Sequence, residues 1–320
     1  MKTSRLGAIG MLVMGTAFWG FSFPLSKALS LAQHDLAPGN SGWFIAAGSV
    51  TFRFLLSTIL LLLIHATSLR TLRKTEFKQG MALGLTGGIG LLFQMDGLQY
   101  TSASTSAFLT QFYCLILPIL FAIQHRRLPS LRVSASCLMV LTGVAILSHI
   151  DWSAMKLGRG EWETLIASCF FTGQILSLDH PAFAQNRPGP TTCVMFCVGT
   201  LLFLPIALVT AHAPLDLIRI HSSQAALSDS VVLAIFCTLV PYSIMNHWQP
   251  RLTALQAGLI YCAEPLFGSL FALFLPALLS KHHHIVYPNE FVTWTLLLGG
   301  GLITAANILI QTESHEQLAT

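Results

Sequence analysis

The chain has 320 residues, 53% hydrophobic and only 9% charged, with a mean hydropathy of +0.67, against roughly 25% charged residues in a soluble domain. This composition excludes a soluble globular protein and reads as an integral membrane protein. The formal charge of +4 does not imply nucleic acid, because the basic residues fall in short clusters between apolar runs and form no continuous stripe.

The start, MKTSRLGAIGMLVMG, resembles a signal peptide, but the apolar run continues through Trp19 and Phe23 to about Leu25. That exceeds the h-region of about 7 to 15 residues, so the segment reads as a retained first helix. Taking about 20 apolar residues as one membrane crossing, ten candidate spans follow in order: 7–30, 42–65, 79–98, 102–124, 133–150, 162–180, 191–211, 230–248, 252–276 and 291–311. The hydrophilic breaks are short, which leaves one membrane domain and no soluble catalytic domain.

Orientation follows from lysine and arginine. With the N-terminus inside, inside loops receive Lys2, Arg5, Arg70, Arg73, Lys74, Lys78, Arg126, Arg127, Arg132, Arg187 and Arg251, and outside loops receive only Lys156, Arg159, Arg219 and Lys281. Both termini are therefore expected in the cytoplasm, with 66–78 inside and 277–290 outside. The seven cysteines are odd in number and all lie in apolar segments, so they read as apolar filling, not as a disulfide framework or zinc site.

A weak internal repeat links the fourth and ninth spans. Aligning Pro118 with Pro265 pairs Ala107 with Ala254, and FWG at 18–20 resembles FTG at 171–173 in the sixth span. Two five-span halves, 1–150 and 151–320, must enter the membrane with opposite orientation because five is odd. Inverted repeats of this kind are a common transporter architecture, with the site at mid-membrane.

Together, FWGFSFPLSKAL at 18–29, FRFLLSTILLLL at 52–63, the two small-residue-then-proline spans and LMVLTGVAIL at 138–147 resemble the EamA-type branch of the drug/metabolite transporter superfamily. The resemblance implies ten helices as two inverted repeats, usually in a bacterial inner membrane, exporting amino acids or other small metabolites. A glutamate that often follows the fourth span of each half is replaced here by Arg126 or Arg127. Its second-half counterpart, Glu290, follows an inserted SKHHHIVYPN.

No GxSxG, HExxH or GxxxxGK[ST] pattern is present, and Asp179 and His180 sit at a helix end beside Pro181, so no enzyme and no cofactor are expected. Four ionisable residues fall in or near spans: Lys27, Arg53, Asp96 and Glu264. Arg53 and Glu264 are predicted at similar depth, either as a static ion pair or with Glu264 exchanging a proton or a substrate ammonium group. Lys27 and Asp96, near outer span ends, read as an outer gate pair or as interfacial snorkelling.

Pro265 is expected to break its span and free the carbonyl of Tyr261, and Pro24, Pro118 and Pro241 raise the same question. Trp19 and Phe23, one turn apart around Gly20, read as an aromatic wall or as packing. Gly84, Gly88 and Gly299 to Gly301 read as close helix contacts. His282, His283 and His284 read as a solvated loop, with no metal expected.

The expected function is a secondary transporter for a small organic solute such as an amino acid, with proton coupling as one option and oligomeric state open. The alternatives are a nucleotide-sugar or phosphate-ester transporter, which needs several basic groups in its cavity, and a non-transporting receptor or scaffold, which needs no accessible polar groups there.

Overall fold

The computed structural model describes residues 2–101, 103–126, 128–147 and 158–311, and these are helices and connections with no strand. Arg127, Lys156 and the expected boundary between the halves at 150/151 lie outside the described residues. Within the described residues, each of the ten apolar segments is mainly helical. The helices are α1 (Lys2–Leu36), α2 (Gly42–Leu69), α3 (Lys74–Tyr100), α4 (Ala103–Thr110), α5 (Tyr113–His125), α6 (Leu131–Leu147), α7 (Arg159–Asp179) and α8 (Pro188–Thr210). They continue as α9 (Asp216–Arg219), α10 (Gln224–Ala234), α11 (Val240–Trp248), α12 (Ala254–Tyr261), α13 (Glu264–Ala272), α14 (Leu275–His283) and α15 (Trp294–Gln311).

Among the described residues, six helical stretches are long and apolar enough to cross a membrane on their own: Arg5–Leu36, Gly42–Leu69, Lys74–Leu98, Pro188–Thr210, Gln224–Arg251 and Ala254–Ala272. Shorter apolar stretches cover Phe108–Gln124, Leu131–Ile146 and Trp294–Ile310. The segment α7 is different in kind, because it carries Glu161, Glu163 and Asp179 along its length. The protein is thus an all-helical membrane protein.

Glycine decides which helices touch most closely. A Cβ on Gly84 would lie 2.7 Å from the Met195 carbonyl and one on Gly80 would lie 2.5 Å from Val194 Cβ, so this stripe seats α3 on α8. Gly143 does the same for α6, where a Cβ would come within 2.7 Å of the Gly299 carbonyl of α15. The most extensive pairings are α3 with α7, α2 with α8 and α6 with α15.

The prolines act at different places. Helix α1 continues through Pro24 and α5 through Pro118. The chain does break before Pro265, at 262–263, and that proline sits in the first turn of α13, where no backbone donor is needed. In the first half the break comes at 111–112, six residues before Pro118. Ala103 and Ala254 each begin an eight-residue helix, after which Tyr113 begins α5 and Glu264 begins α13.

Between α10 and α11, residues Ile235–Leu239 form a π turn, in which Val240 N–H donates to the Ile235 carbonyl. In α register the missing N–H of Pro241 would have served the Cys237 carbonyl.

The first half of the segment expected as the 277–290 loop belongs to helix α14. Leu279 of α14 is buried with Leu25, Ala28 and Leu29 of α1, and with Leu233 of α10. The chain then returns to α13, where Glu290 N–H donates to the Ala272 carbonyl at 2.8 Å. Of the cysteines, Cys114, Cys137, Cys193, Cys237 and Cys262 are buried and Cys197 is half-buried, but Cys169 is exposed, against the expectation of buried filling throughout.

Candidate functional site

The middle of the bundle holds a cavity walled by α1, α2, α3, α7, the π turn, α11 and the two helix breaks. Every residue singled out for a binding or coupling role lines it: Trp19, Phe23, Arg53, Tyr261 and Glu264. A second, wider space adjoins it, sharing Ser26, Arg53, Met95 and Leu98 and extending past Lys27, Ser30, His34 and Ser49. That vestibule lies at the end of the bundle where α1 finishes and α2 begins.

Arg53 is buried at the middle of α2. Its Nε donates to Thr238 Oγ1 at 2.8 Å and its Nη2 to the Cys237 carbonyl at 3.3 Å. The guanidinium therefore takes up the acceptor that Pro241 leaves open. The expected ion pair between Arg53 and Glu264 is not made. Arg53 is held by the π turn, whereas Glu264 projects from the first residue of α13. The Glu264 carboxylate has no hydrogen-bond or ion-pair partner among the described residues, is half-buried, and gains from its place at a helix N-terminus. One cavity thus holds an arginine and a carboxylate that are not spent on each other.

Aromatic rings form the floor. Trp19 meets Tyr242 and Tyr261 edge-on, each with ring centroids 5.4 Å apart. The Tyr261 hydroxyl donates to Gln249 Oε1 at 2.9 Å, and Gln249 Nε2 donates to the Ile175 carbonyl at 2.7 Å, tying this floor to α7. Phe23 lies beside Gly268 of α13. Sequence reasoning missed Tyr113, Tyr242, Gln94 and Gln174, which also line the cavity. Their signal was weak, since a single polar or aromatic residue in an apolar span is also ordinary packing. The helix break beside Tyr113 has no proline to mark it.

The expected outer gate between Lys27 and Asp96 does not form. Asp96 has a fully buried side chain and bonds Arg159 Nη2 at 2.6 Å, while Arg159 Nε reaches Glu163 at 2.8 Å. Arg159 starts α7 directly beside the end of α3, and Lys27 instead lies 6.0 Å from the ring of Tyr287. Thr101 and Glu161 add a second bond between α3 and α7. At the other end of α3, Arg187 meets the buried Glu76 with Nε at 2.6 Å and Nη2 at 2.8 Å, and also donates to the Thr71 carbonyl at 2.8 Å. Outside the spans, Asn40 Nδ2 donates to Asp216 at 3.0 Å, joining the α1–α2 connection to the start of α9. That hydrogen bond holds the Asp216 carboxyl below the usual carboxylate range. Asp179 and His180 do local work: Asp179 accepts from Ala254 N–H and His180 from Ala182 N–H.

Comparison with known proteins agrees with this picture. Residues 6–149 match the EamA-like transporter family. Two curated proteins of Archaeoglobus fulgidus, each called an uncharacterized transporter, are similar over most of their length. One is 23% identical across 95% of this chain and 87% of its own, and the other 24% identical across 99% of both. A solved structure described as "Crystal structure of protein" shares the fold with a TM-score of 0.67 at 15% identity, covering 97% of this chain and 100% of that one.

Proposed function

We propose that this chain, whose residues 6–149 match the EamA-like transporter family, is a membrane transporter of that type and carries a small zwitterionic organic solute such as an amino acid. The observation that carries the reading is the pair of opposite charges, Arg53 and Glu264, facing one aromatic-lined cavity without contact to each other. Arg53 would meet a carboxylate, Glu264 an ammonium group or a proton, and Trp19, Phe23 and Tyr261 the apolar remainder. A phosphate ester or nucleotide sugar is disfavoured, because Arg53 is the one basic side chain among the described residues lining the cavity. A receptor or scaffold is disfavoured by the polar groups that reach the cavity.

The architecture that goes with this reading is ten membrane helices in two inverted halves, 1–150 and 151–320. Supporting it, α2 packs on its would-be counterpart α8, α6 packs on α15, and the fourth and ninth spans break after helices of equal length. With both termini in the cytoplasm of a bacterial inner membrane, as the lysine and arginine distribution favours, the vestibule opens outward. Alternating access then requires it to close and the Arg187 end to part. Export and proton coupling belong to the same proposal. Export rests on the family resemblance, and coupling on Glu264.

A solute-uptake screen in inverted vesicles with an imposed proton gradient tests the reading. Zwitterions should be accumulated in preference to anionic sugars and phosphates; preference for a multiply anionic solute would overturn it.

A further inference from the structure

Away from the cavity, three side chains from two distant segments converge between α10 and α14. His283 Nε2 lies 2.7 Å from Asp229 Oδ2, and His282 Nε2 lies 3.6 Å from Asp229 Oδ1. One donor atom from each of the three lies within 4.8 Å of the others. Consecutive helical residues point about 100° apart, so two rings turned onto the two oxygens of one carboxylate is a particular arrangement. The Ser228 hydroxyl stands 3.1 Å from His282 Nε2 and adds a fourth candidate donor. The His283 side chain is 1% exposed and that of Asp229 9%, while His282, at 44%, leaves a route from solvent.

We propose that Asp229, His282 and His283 form a binding site for a borderline divalent transition metal such as Zn²⁺ or Ni²⁺. Two imidazole nitrogens and one carboxylate oxygen are the donors such ions prefer, whereas Mg²⁺ and Ca²⁺ favour all-oxygen sets. Ligand atoms held about 2.0 Å from a tetrahedral ion are about 3.3 Å from one another. The spacings of 2.7 and 3.6 Å to the Asp229 carboxylate bracket that value, and all three donors lie within 4.8 Å of one another, so side-chain adjustment completes the site, with water or Ser228 in the fourth position. The consequence is mechanical. Helix α14 lies against α1 through Leu279, and α10 leads into the π turn that holds Arg53. A bound ion ties these elements together beside the vestibule.

The test uses the full-length protein, purified without a histidine tag, stripped with chelator and titrated with Zn²⁺ and Ni²⁺ by calorimetry and thermal melting. The expected result is one ion per chain and a raised melting temperature. Asp229→Asn should abolish both. His282→Gln leaves the bond between Asp229 and His283 in place, keeps the fold, and should weaken binding at least ~10-fold. His284→Asn, adjacent in sequence but outside the cluster, should bind as wild type. Absence of saturable binding by the wild type, or undiminished binding by His282→Gln, would overturn the site; if Asp229→Asn does not fold, His282→Gln decides alone.

Discussion

Glu264 and Arg53 sit in one cavity but answer to different physics. Since the Glu264 carboxylate has no hydrogen-bond partner among the described residues, Glu264→Gln removes a costly membrane charge and orphans nothing. The variant should insert at wild-type abundance and lose proton-driven flux, while gradient-independent exchange of substrate survives. Paired measurements of abundance and flux check this, and a flux that stays proton-dependent would rule Glu264 out as the coupling group. Arg53 is also structural, through Thr238 and the Cys237 carbonyl. Arg53→Met leaves those buried acceptors without a donor, at about 1 to 3 kcal/mol. A lowered melting temperature in detergent is expected, with Arg53→Lys in between because it restores charge but not the planar fork.

Among the elements, α1 and α13 are the pair whose approach shapes the cavity, and Gly20 permits it. A Cβ there would lie 2.5 Å from Phe267 Cβ and 2.8 Å from the backbone nitrogen of Gly268. Gly20→Ala must push backbone from backbone, and overpacking of this kind costs about 1 to 3 kcal/mol. Gly301, which has nothing within 4 Å of its would-be Cβ, supplies the control, and Gly301→Ala should melt like wild type. Helix α3 is tied to its neighbours at both ends, by Asp96 with Arg159 and by Glu76 with Arg187. Arg187→Gln strips the buried Glu76 of its charged donor, and a loss of about 2 kcal/mol is expected in chemical denaturation. Wild-type stability in that variant would mean that water replaces the arginine.

For the whole molecule, the vestibule and the Arg187 network lie at opposite ends, so the outward-facing reading makes an accessibility prediction. In a Cys169→Ser background, Ser30→Cys should react with a membrane-impermeant maleimide added to intact cells, and Leu72→Cys should not. The reverse pattern would invert the orientation. Ser30 lines the vestibule, and Leu72 lies between α2 and α3 near Arg187's partner Thr71.

What the sequence alone determined is whatever local composition controls. Apolar length sets a membrane crossing, so the described parts of the apolar segments are mainly helical and six stretches are long enough to span, and an ionised group in an apolar run must face protein or water, so Glu264 and Arg53 were legible as cavity residues. Tertiary structure decided which partner each polar group takes, because that depends on helix rotation and register, which hydropathy does not encode. Asp96 chose Arg159 over Lys27 since the start of α7 meets the end of α3. Arg53 chose the π turn over Glu264 since Pro241 had left a carbonyl open beside it. Likewise the histidine triplet resembled a solvated loop until α14 folded back, and only then did Asp229, 54 residues away from His283, come within reach.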